Sequence, residues 1–528
     1  MYKGFDPDDT TDCQPQQEDA SYGTVLLSTF VIRKKRCRVY FHKSTLIWET
    51  ERPPYKRWTL LLTDVIAVNF GNGFGKDEPG LISSSSPNPP TTFVLHYAAR
   101  GAQHKWSHHS VAMSHDDPRQ IASWVKTIRN CLASFKNRPK KILLFVNPYG
   151  GKKKGLEIWE KQVQPLMTIA GIESKVVITE RQGHIREILL TNEIDSYQAA
   201  VSVGGDGTFA ELFNGMIMRT ARDQRIELND INVKLPRPAL PLGVIPSGST
   251  DTLAYSLHGT TDVGTAVMHI IFGDMTGLDV SSVHNDQSLL RIYASILSYG
   301  YLGDVVRDSE KFRWMGPQRY DYSGLKKIIA NKGYEAEVEL LPESVNPAAC
   351  TRCEKNCERC TQRSVHCSSS ENNDDNDDES KYLKVKGKFF MINGANISCA
   401  CSKSPMGFSP HCHIGDGCVD VILVRHTSLL NNVRMMLRLA SKDKTLYDLP
   451  FVEVYRAKEF TFRAANPTDM HSSQPSGLGG SASSVWNCDG EVINASSVTI
   501  RVHRQLLRVF SRRMHPAAPK GTSCFCLM

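Results

Sequence analysis

Ala199-Ala200-Val201-Ser202-Val203-Gly204-Gly205-Asp206-Gly207-Thr208 runs a short apolar strand directly into a glycine turn that carries one carboxylate. Two more junctions of this kind lie nearby. Ile142-Leu143-Leu144-Phe145-Val146 leads into Asn147-Pro148-Tyr149-Gly150-Gly151-Lys152, and Leu242-Gly243-Val244-Ile245 leads into Pro246-Ser247-Gly248-Ser249-Thr250-Asp251. Small residues at a strand end let backbone approach a ligand closely. In open α/β sheets ligands bind at the carboxyl ends of strands, where successive amides form anion-binding concavities. Three such junctions in sequence predict an α/β lobe that cradles a nucleotide triphosphate. No Walker P-loop is present, and Gly205-Asp206-Gly207 lacks the third glycine of a dinucleotide fingerprint. The His-Arg-Asp and Asp-Phe-Gly pair of protein kinases is missing as well.

With 528 residues and 41% hydrophobic content the chain can hold several globular units. A net charge of +8, without a zinc-finger pair or basic zipper, argues against nucleic acid as a partner. No apolar run reaches the roughly 20 residues of a membrane-spanning helix. The polar, acidic start lacks the pattern of a secretory signal, so the expected location is cytoplasmic and the 15 cysteines are expected as thiols or metal ligands. The C-terminal Cys524-Phe525-Cys526-Leu527-Met528 fails the prenylation pattern, because Phe525 stands fourth from the end; palmitoylation of these cysteines stays open.

The expected organisation is multidomain. Residues 1–22 form a disordered tail. Residues 23–136 carry strands at Thr24–Val31, Cys37–Phe41, Thr45–Glu49, Thr59–Val68 and Thr92–Tyr97, then a helix that Asp117-Pro118 starts and that Ile121, Trp124, Ile128, Leu132 and Phe135 line on one face. Residues 137–278 are the α/β nucleotide-binding lobe. Residues 279–510 form a second, β-rich lobe, a β-sandwich, interrupted by an acidic insertion at 367–381 and a Ser/Gly/Pro-rich flexible loop at 464–484. Residues 511–528 are a tail.

The first unit, strands closed off by one amphipathic helix with a central Trp, resembles a pleckstrin-homology domain. The resemblance implies that Arg33-Lys34-Lys35-Arg36-Cys37-Arg38, between the first two strands, meets phosphoinositide head groups; otherwise the cluster is a solvated basic edge. Asn147-Pro148-x-Gly150-Gly151, Gly204–Thr208 and the Pro246–Asp251 turn together resemble the diacylglycerol-kinase-like lipid kinases. Asp279–His284, Gly300–Asp304, Asp308–Lys311, Arg319–Lys326, Phe451–Arg456 and Trp486–Glu491 are similar to the ceramide kinases within that family.

What the resemblance implies is transfer of phosphate from ATP, with Mg²⁺, to the primary hydroxyl of ceramide. A hydroxyl needs a base in contact with it, and the matching aspartate is Asp206, among the substrate-side residues Gly204, Gly205, Asp206, Gly207 and Asp304. Positions matching ATP contacts are Asn147, Pro148, Tyr149, Thr179, Glu211, Ser249, Arg313, Arg319, Asp489, Gly490 and Glu491, with Asp489 also a Mg²⁺ candidate. Sphingosine kinases carry a second aspartate where this chain has Val306, facing the substrate's ammonium. Ceramide's nitrogen is an uncharged amide, and a buried carboxylate there would lack a partner. The alternatives are a kinase for sphingosine or diacylglycerol, or a lipid-binding scaffold with an inactive kinase fold.

Cys350-x-x-Cys353-x-x-x-Cys357-x-x-Cys360 contains a spacing also found in ceramide kinases. Four cysteines this close suit tetrahedral zinc; with so short a loop between the pairs, Cys367 or His366 are alternative ligands, and metal-free thiols or a redox-labile loop stay open. Leu423–Lys442 reads as one basic amphipathic helix whose Leu423, Leu430 and Met436 have calmodulin-target spacing, and the family resemblance implies calcium responsiveness; a core helix with a solvated face fits equally well. The implied location is peripheral, on Golgi or plasma membrane.

Overall fold

The computed structural model describes residues 25–71, 90–150, 153–316, 318–343, 353, 357–361, 382–401, 403–465 and 483–512. The chain divides into two compact units, one running to Ala99 and including His108–Lys136, the other Arg100–Ser107 together with Asn137 onward.

The first unit is a seven-stranded antiparallel sheet and the helix Pro118–Ala133. Asp117 caps that helix by accepting a hydrogen bond from the Arg119 amide, and Pro118 fits the first turn, where an amide hydrogen has no helical partner. Ile121, Trp124, Val125 and Ile128 face the sheet, with Trp124 edge-on to Phe30 at 5.1 Å between centroids. Two expectations are corrected. Thr59–Val68 is not one strand: Leu62–Asp64 forms a 3₁₀ turn between strands Arg57–Leu61 and Val65–Phe70, and beyond it the adjacent Val65 and Ile66 are both buried, which breaks the alternating pattern. Trp106–Ser114 is a strand that its five serine and histidine positions hid. The turn between the first strands, Leu26–Ile32 and Lys35–His42, is only Arg33-Lys34, both at positive φ (49° and 65°), so Lys35, Arg36 and Arg38 lie on the second strand.

In the second unit the strands Glu173–Ile178, Lys141–Val146, Ala199–Gly204 and Leu242–Pro246 lie parallel in that order. The near-continuous apolar sequence of the last three fits parallel strands covered on both faces, while Glu173–Ile178 is a partly exposed edge strand, and Phe145, Phe209, Phe213 and Leu253 pack in the core beside the sheet. The chain leaves this sheet along Met275–His284 and returns along Ser497–Phe510, an antiparallel pair; Leu242 lies opposite Val509, so one sheet runs on into the β-rich lobe. There the long strands Leu383–Ala395 and Val452–Ala464 each pair with three neighbours, splitting the sheet into faces that enclose Tyr299, Phe462 and Trp486, whose rings meet at 4.6–5.0 Å.

Leu423–Lys442 is not one helix. Leu423 is fully buried in the strand Val419–Arg425, and the helix covers only Leu429–Leu439, so the calmodulin spacing does not fall on one helical face. The apolar residues of Val421–Val424 fit a central strand better than a helix because both their faces are covered. No helix among the described residues is long and apolar enough to cross a membrane. The 367–381 insertion lies outside the described residues, as does 466–482 of the Ser/Gly/Pro-rich loop.

Candidate active site

The three apolar strands end together because their register is aligned: Val203 lies opposite Val146, and Gly204 opposite Pro246. Asn147 organises the first loop. Its Oδ1 accepts from the Tyr149 and Gly150 amides at 2.9 and 3.0 Å, while its Nδ2 donates to Thr208 Oγ1 at 2.9 Å, tying the first loop to the second. Pro148 is half-buried, and Tyr149 is exposed. Thr179, buried at the end of the adjacent strand, donates its amide to Val146 O at 2.8 Å. Ser249 is exposed on the third loop.

The second and third loops touch through backbone. A Cβ on Gly248 would lie 2.6 Å from Gly205 Cα, and one on Gly204 would lie 2.4 Å from Thr208 Cβ. Asp251, in a left-handed conformation at φ 53°, accepts from the Gly248 amide at 2.9 Å and closes the turn. Gly205 precedes the helix Asp206–Gln224 without a side-chain cap; the Thr208 amide donates to Gly205 O at 3.0 Å, which leaves the Asp206 and Gly207 amides to meet an anion. A Gly248→Ala chain should therefore show a KM for ATP raised about tenfold or more, roughly 1.4 kcal/mol, because backbone at Gly205 must move. An unchanged KM would mean that this contact does not shape the nucleotide cradle.

Asp206 begins that helix and is fastened to the next one. Its Oδ2 accepts from Thr252 N and Thr252 Oγ1 at 3.0 and 2.8 Å, and its Oδ1 from Leu253 N at 2.9 Å. A carboxylate offers about four acceptor positions, so one remains for a fourth donor. Thr252, which the sequence reading overlooked, sets the direction of that carboxylate.

Asp489 comes from the far end of the chain. Its carboxyl accepts from the Ala294, Ser295 and Ile296 amides at 2.9–3.3 Å. Withdrawal from water pushes its pKa up to about 6 against these amides, and the negative charge of Asp206 pushes it in the same direction. The two carboxylates, remote in sequence, thus share one electrostatic neighbourhood. The Gly490 amide donates to Asn487 Oδ1 at 2.9 Å, and Glu491 pairs with Arg291 and accepts from Gln182 Nε2 at 3.3 Å.

Other expected positions have defined structural partners. Glu211 accepts from the Ile185 amide at 2.8 Å, capping the helix His184–Thr191. Arg313 Nε donates to Glu310 at 2.6 Å, and Arg319 pairs with the same acid at 3.2 Å while stacking over Tyr320. Asp304 is buried, holding Tyr334 Oη, Ser484 Oγ at 2.9 Å and the exposed Arg307 guanidinium at 2.7 Å. Ser484 and Tyr334 had no sequence signal, since each lies in a segment remote from Asp304, whereas Arg307 stands three residues along the same helix. Val306 is partly exposed on the same helix, Tyr301–Ser309.

Of the cysteine cluster, Cys350 lies outside the described residues, as do the alternatives His366 and Cys367. Cys353, Cys357 and Cys360 converge, and the fourth group beside them is His413 instead of a cysteine. The run His411-Cys412-His413-Ile414-Gly415-Asp416-Gly417-Cys418 was the overlooked signal.

Residues 26–128 match the ceramide kinase PH domain, residues 141–283 the diacylglycerol kinase catalytic domain, and residues 295–527 the ceramide kinase C-terminal domain. The ceramide kinase of Homo sapiens is 35% identical over 518 residues, covering 92% of this chain and 96% of that one. Ceramide kinase 1 of Caenorhabditis elegans is 30% identical, covering 81% and 76%. The ceramide kinase-like protein of Homo sapiens is 29% identical, covering 75% and 73%.

Proposed function

This chain belongs to the ceramide kinase family, and we propose that it transfers the γ-phosphoryl group of ATP to the primary hydroxyl of ceramide, giving ceramide 1-phosphate and ADP. The observation that carries the reading is a carboxylate, Asp206, held in one orientation by Thr252 and Leu253 at the aligned ends of three glycine-bearing strands. In the proposed step the lipid hydroxyl oxygen attacks the γ-phosphorus, the bond to the β–γ bridging oxygen breaks, and Asp206 takes the hydroxyl proton. Thr252 and Leu253 keep the base in one orientation. Asn147 and the loops about Gly204 and Gly248 position the phosphates through backbone amides.

The donor chemistry fits Mg²⁺, because a carboxylate made less acidic mainly by burial, and further by the charge of Asp206, is a site that a hard cation satisfies. Bound there, Mg²⁺ would neutralise charge on the phosphates, with Asp489 as the residue that holds it. Asp489 must then be ionised for turnover. Its pKa near 6 places an acid limb there, activity being full above and falling as pH drops through 6. Raising Mg²⁺ should move the limb to lower pH, since cation and proton compete for one carboxylate. A limb insensitive to Mg²⁺ would remove Asp489 from this role.

The first unit supplies the proposed membrane contact, with anionic phosphoinositides of the Golgi or plasma membrane as the ligand class. Arg33, Lys34, Lys35, Arg36 and Arg38 are all exposed, but Arg36 and Arg38 lie 3.3 and 3.9 Å from Glu51, which offsets part of their charge. Changing Arg33, Lys34, Lys35 and Arg36 to Ala should weaken binding to anionic vesicles by about 3 kcal/mol, on the order of a hundredfold, at low salt. Activity on a detergent-dispersed short-chain ceramide should fall far less. Equal loss in both assays would assign this unit to the catalytic structure instead.

Substrate class is tested by offering ceramide, sphingosine and diacylglycerol together in mixed micelles. The proposal expects ceramide to take most of the label; preference for sphingosine or diacylglycerol would overturn it.

A further inference from the structure

Apart from the phosphate loops, the chain assembles a second cluster of groups able to hold a ligand. Cys353 and the helix Glu358–Thr361 approach the loop that joins strands Leu383–Ala395 and Val419–Arg425. One donor atom from each of Cys353, Cys357, Cys360 and His413 lies within 4.8 Å of all the others. Cys353 Sγ is 3.6 Å from Cys360 Sγ, and His413 Nδ1 is 2.9 Å from Cys357 Sγ and 3.8 Å from Cys360 Sγ. None of the three cysteines is in a disulfide. In a zinc tetrahedron with Zn–S about 2.3 Å and Zn–N about 2.0 Å, ligand atoms stand roughly 3.5–3.8 Å apart. The spacing here already approaches that value, although nothing covalent draws these side chains together.

We propose that Cys353, Cys357, Cys360 and His413 bind one zinc ion as a closed, structural site. Three thiolates and an imidazole complete the coordination, which leaves no open position for catalysis. The surroundings fix the ligands from both sides. Gln505 Nε2 donates to Cys360 O at 2.6 Å and to Gly415 O at 2.8 Å, joining the cysteine segment and the histidine loop to the strand Ser497–Phe510. Asp416, three residues beyond His413, lies 3.7 Å from Arg359, between Cys357 and Cys360, and 3.8 Å from Arg456. His413 is only 1% exposed, so its ring orientation is set by packing. The ion would fasten a short cysteine segment, which has little apolar surface of its own, to the catalytic lobe.

The test is the metal content of the untagged full-length chain, purified without added metal or chelator. About one zinc per chain is expected. Cys360→Ser and His413→Ala should each lose most of it, while Cys131→Ser, in the other unit, should keep it. His413→Cys guards against simple misfolding: a fourth thiolate should retain zinc, and its cobalt-substituted form should show a stronger thiolate-to-cobalt charge-transfer band than the wild type, with tetrahedral d–d bands in both. Substoichiometric zinc in the wild type, zinc that survives both Cys360→Ser and His413→Ala, or a Cys353–Cys360 disulfide found by mass would each overturn the proposal.

Discussion

An Asp206→Asn chain is expected to bind ATP yet lose kcat by about 10²–10⁴-fold, the usual contribution of a positioned general base. The substitution also has a structural cost. Asp206 accepts from Thr252 N, Thr252 Oγ1 and Leu253 N, and an amide in its place turns one acceptor into a donor pair facing those groups. Leaving one of them unpaired costs about 1–3 kcal/mol. Thr252→Val separates the two effects, since it removes one hydroxyl donor and leaves the carboxylate in place. Its kcat should change less than about tenfold, with a stability loss of roughly 0.5–1.5 kcal/mol. An Asp206→Asn enzyme within tenfold of wild type would show that the proton leaves by another route.

The largest stability effect is expected at Arg456. Its side chain is 1% exposed, and its guanidinium donates to Asp420 at 2.8 and 3.0 Å and to His411 O at 2.8 Å, with Asp416 at 3.8 Å. Asp420 is equally buried and also bonds Ser409. Burying such a pair contributes little net stability, but removing one partner strands the other charge in a low-dielectric interior. Arg456→Met should cost about 3–5 kcal/mol in denaturant unfolding. Adding Asp420→Leu should restore part of that loss, since it removes the orphaned charge. A loss under about 1 kcal/mol for Arg456→Met would mean that water or another cation reaches Asp420.

These two sites also show how far the sequence could be read. The three strand ends were legible because each couples a run of apolar residues to a glycine turn, and parallel strands with aligned register must bring such ends together. The helix Pro118–Ala133 was legible from Asp117-Pro118 and the spacing of Ile121, Trp124 and Ile128. The orientation of Asp206 was not, because Thr252 lies 46 residues away and only the packed fold makes it a neighbour. Arg456 and Asp420 sit on adjacent antiparallel strands, opposite each other in register, a pairing that no local pattern specifies. Leu423 misled the reading for a related reason: the fully buried strand Val419–Arg425 has the same apolar density as a helix face, and period alone does not separate the two. His413 went unnoticed because its partners are 53–60 residues distant and the short cysteine spacing drew attention to the cysteines alone.

The central claim is that Asp206, at the ends of the three glycine-bearing strands, helps move phosphate onto a lipid hydroxyl. It is tested most directly by incubating the purified chain with γ-labelled ATP, Mg²⁺ and a single ceramide, then measuring labelled lipid and ADP together. The account predicts equal amounts of both, with the phosphate on the primary hydroxyl. Nucleotide binding without turnover, or ADP matched by free phosphate instead of labelled lipid, would contradict it and favour a lipid-binding protein built on an inactive kinase fold.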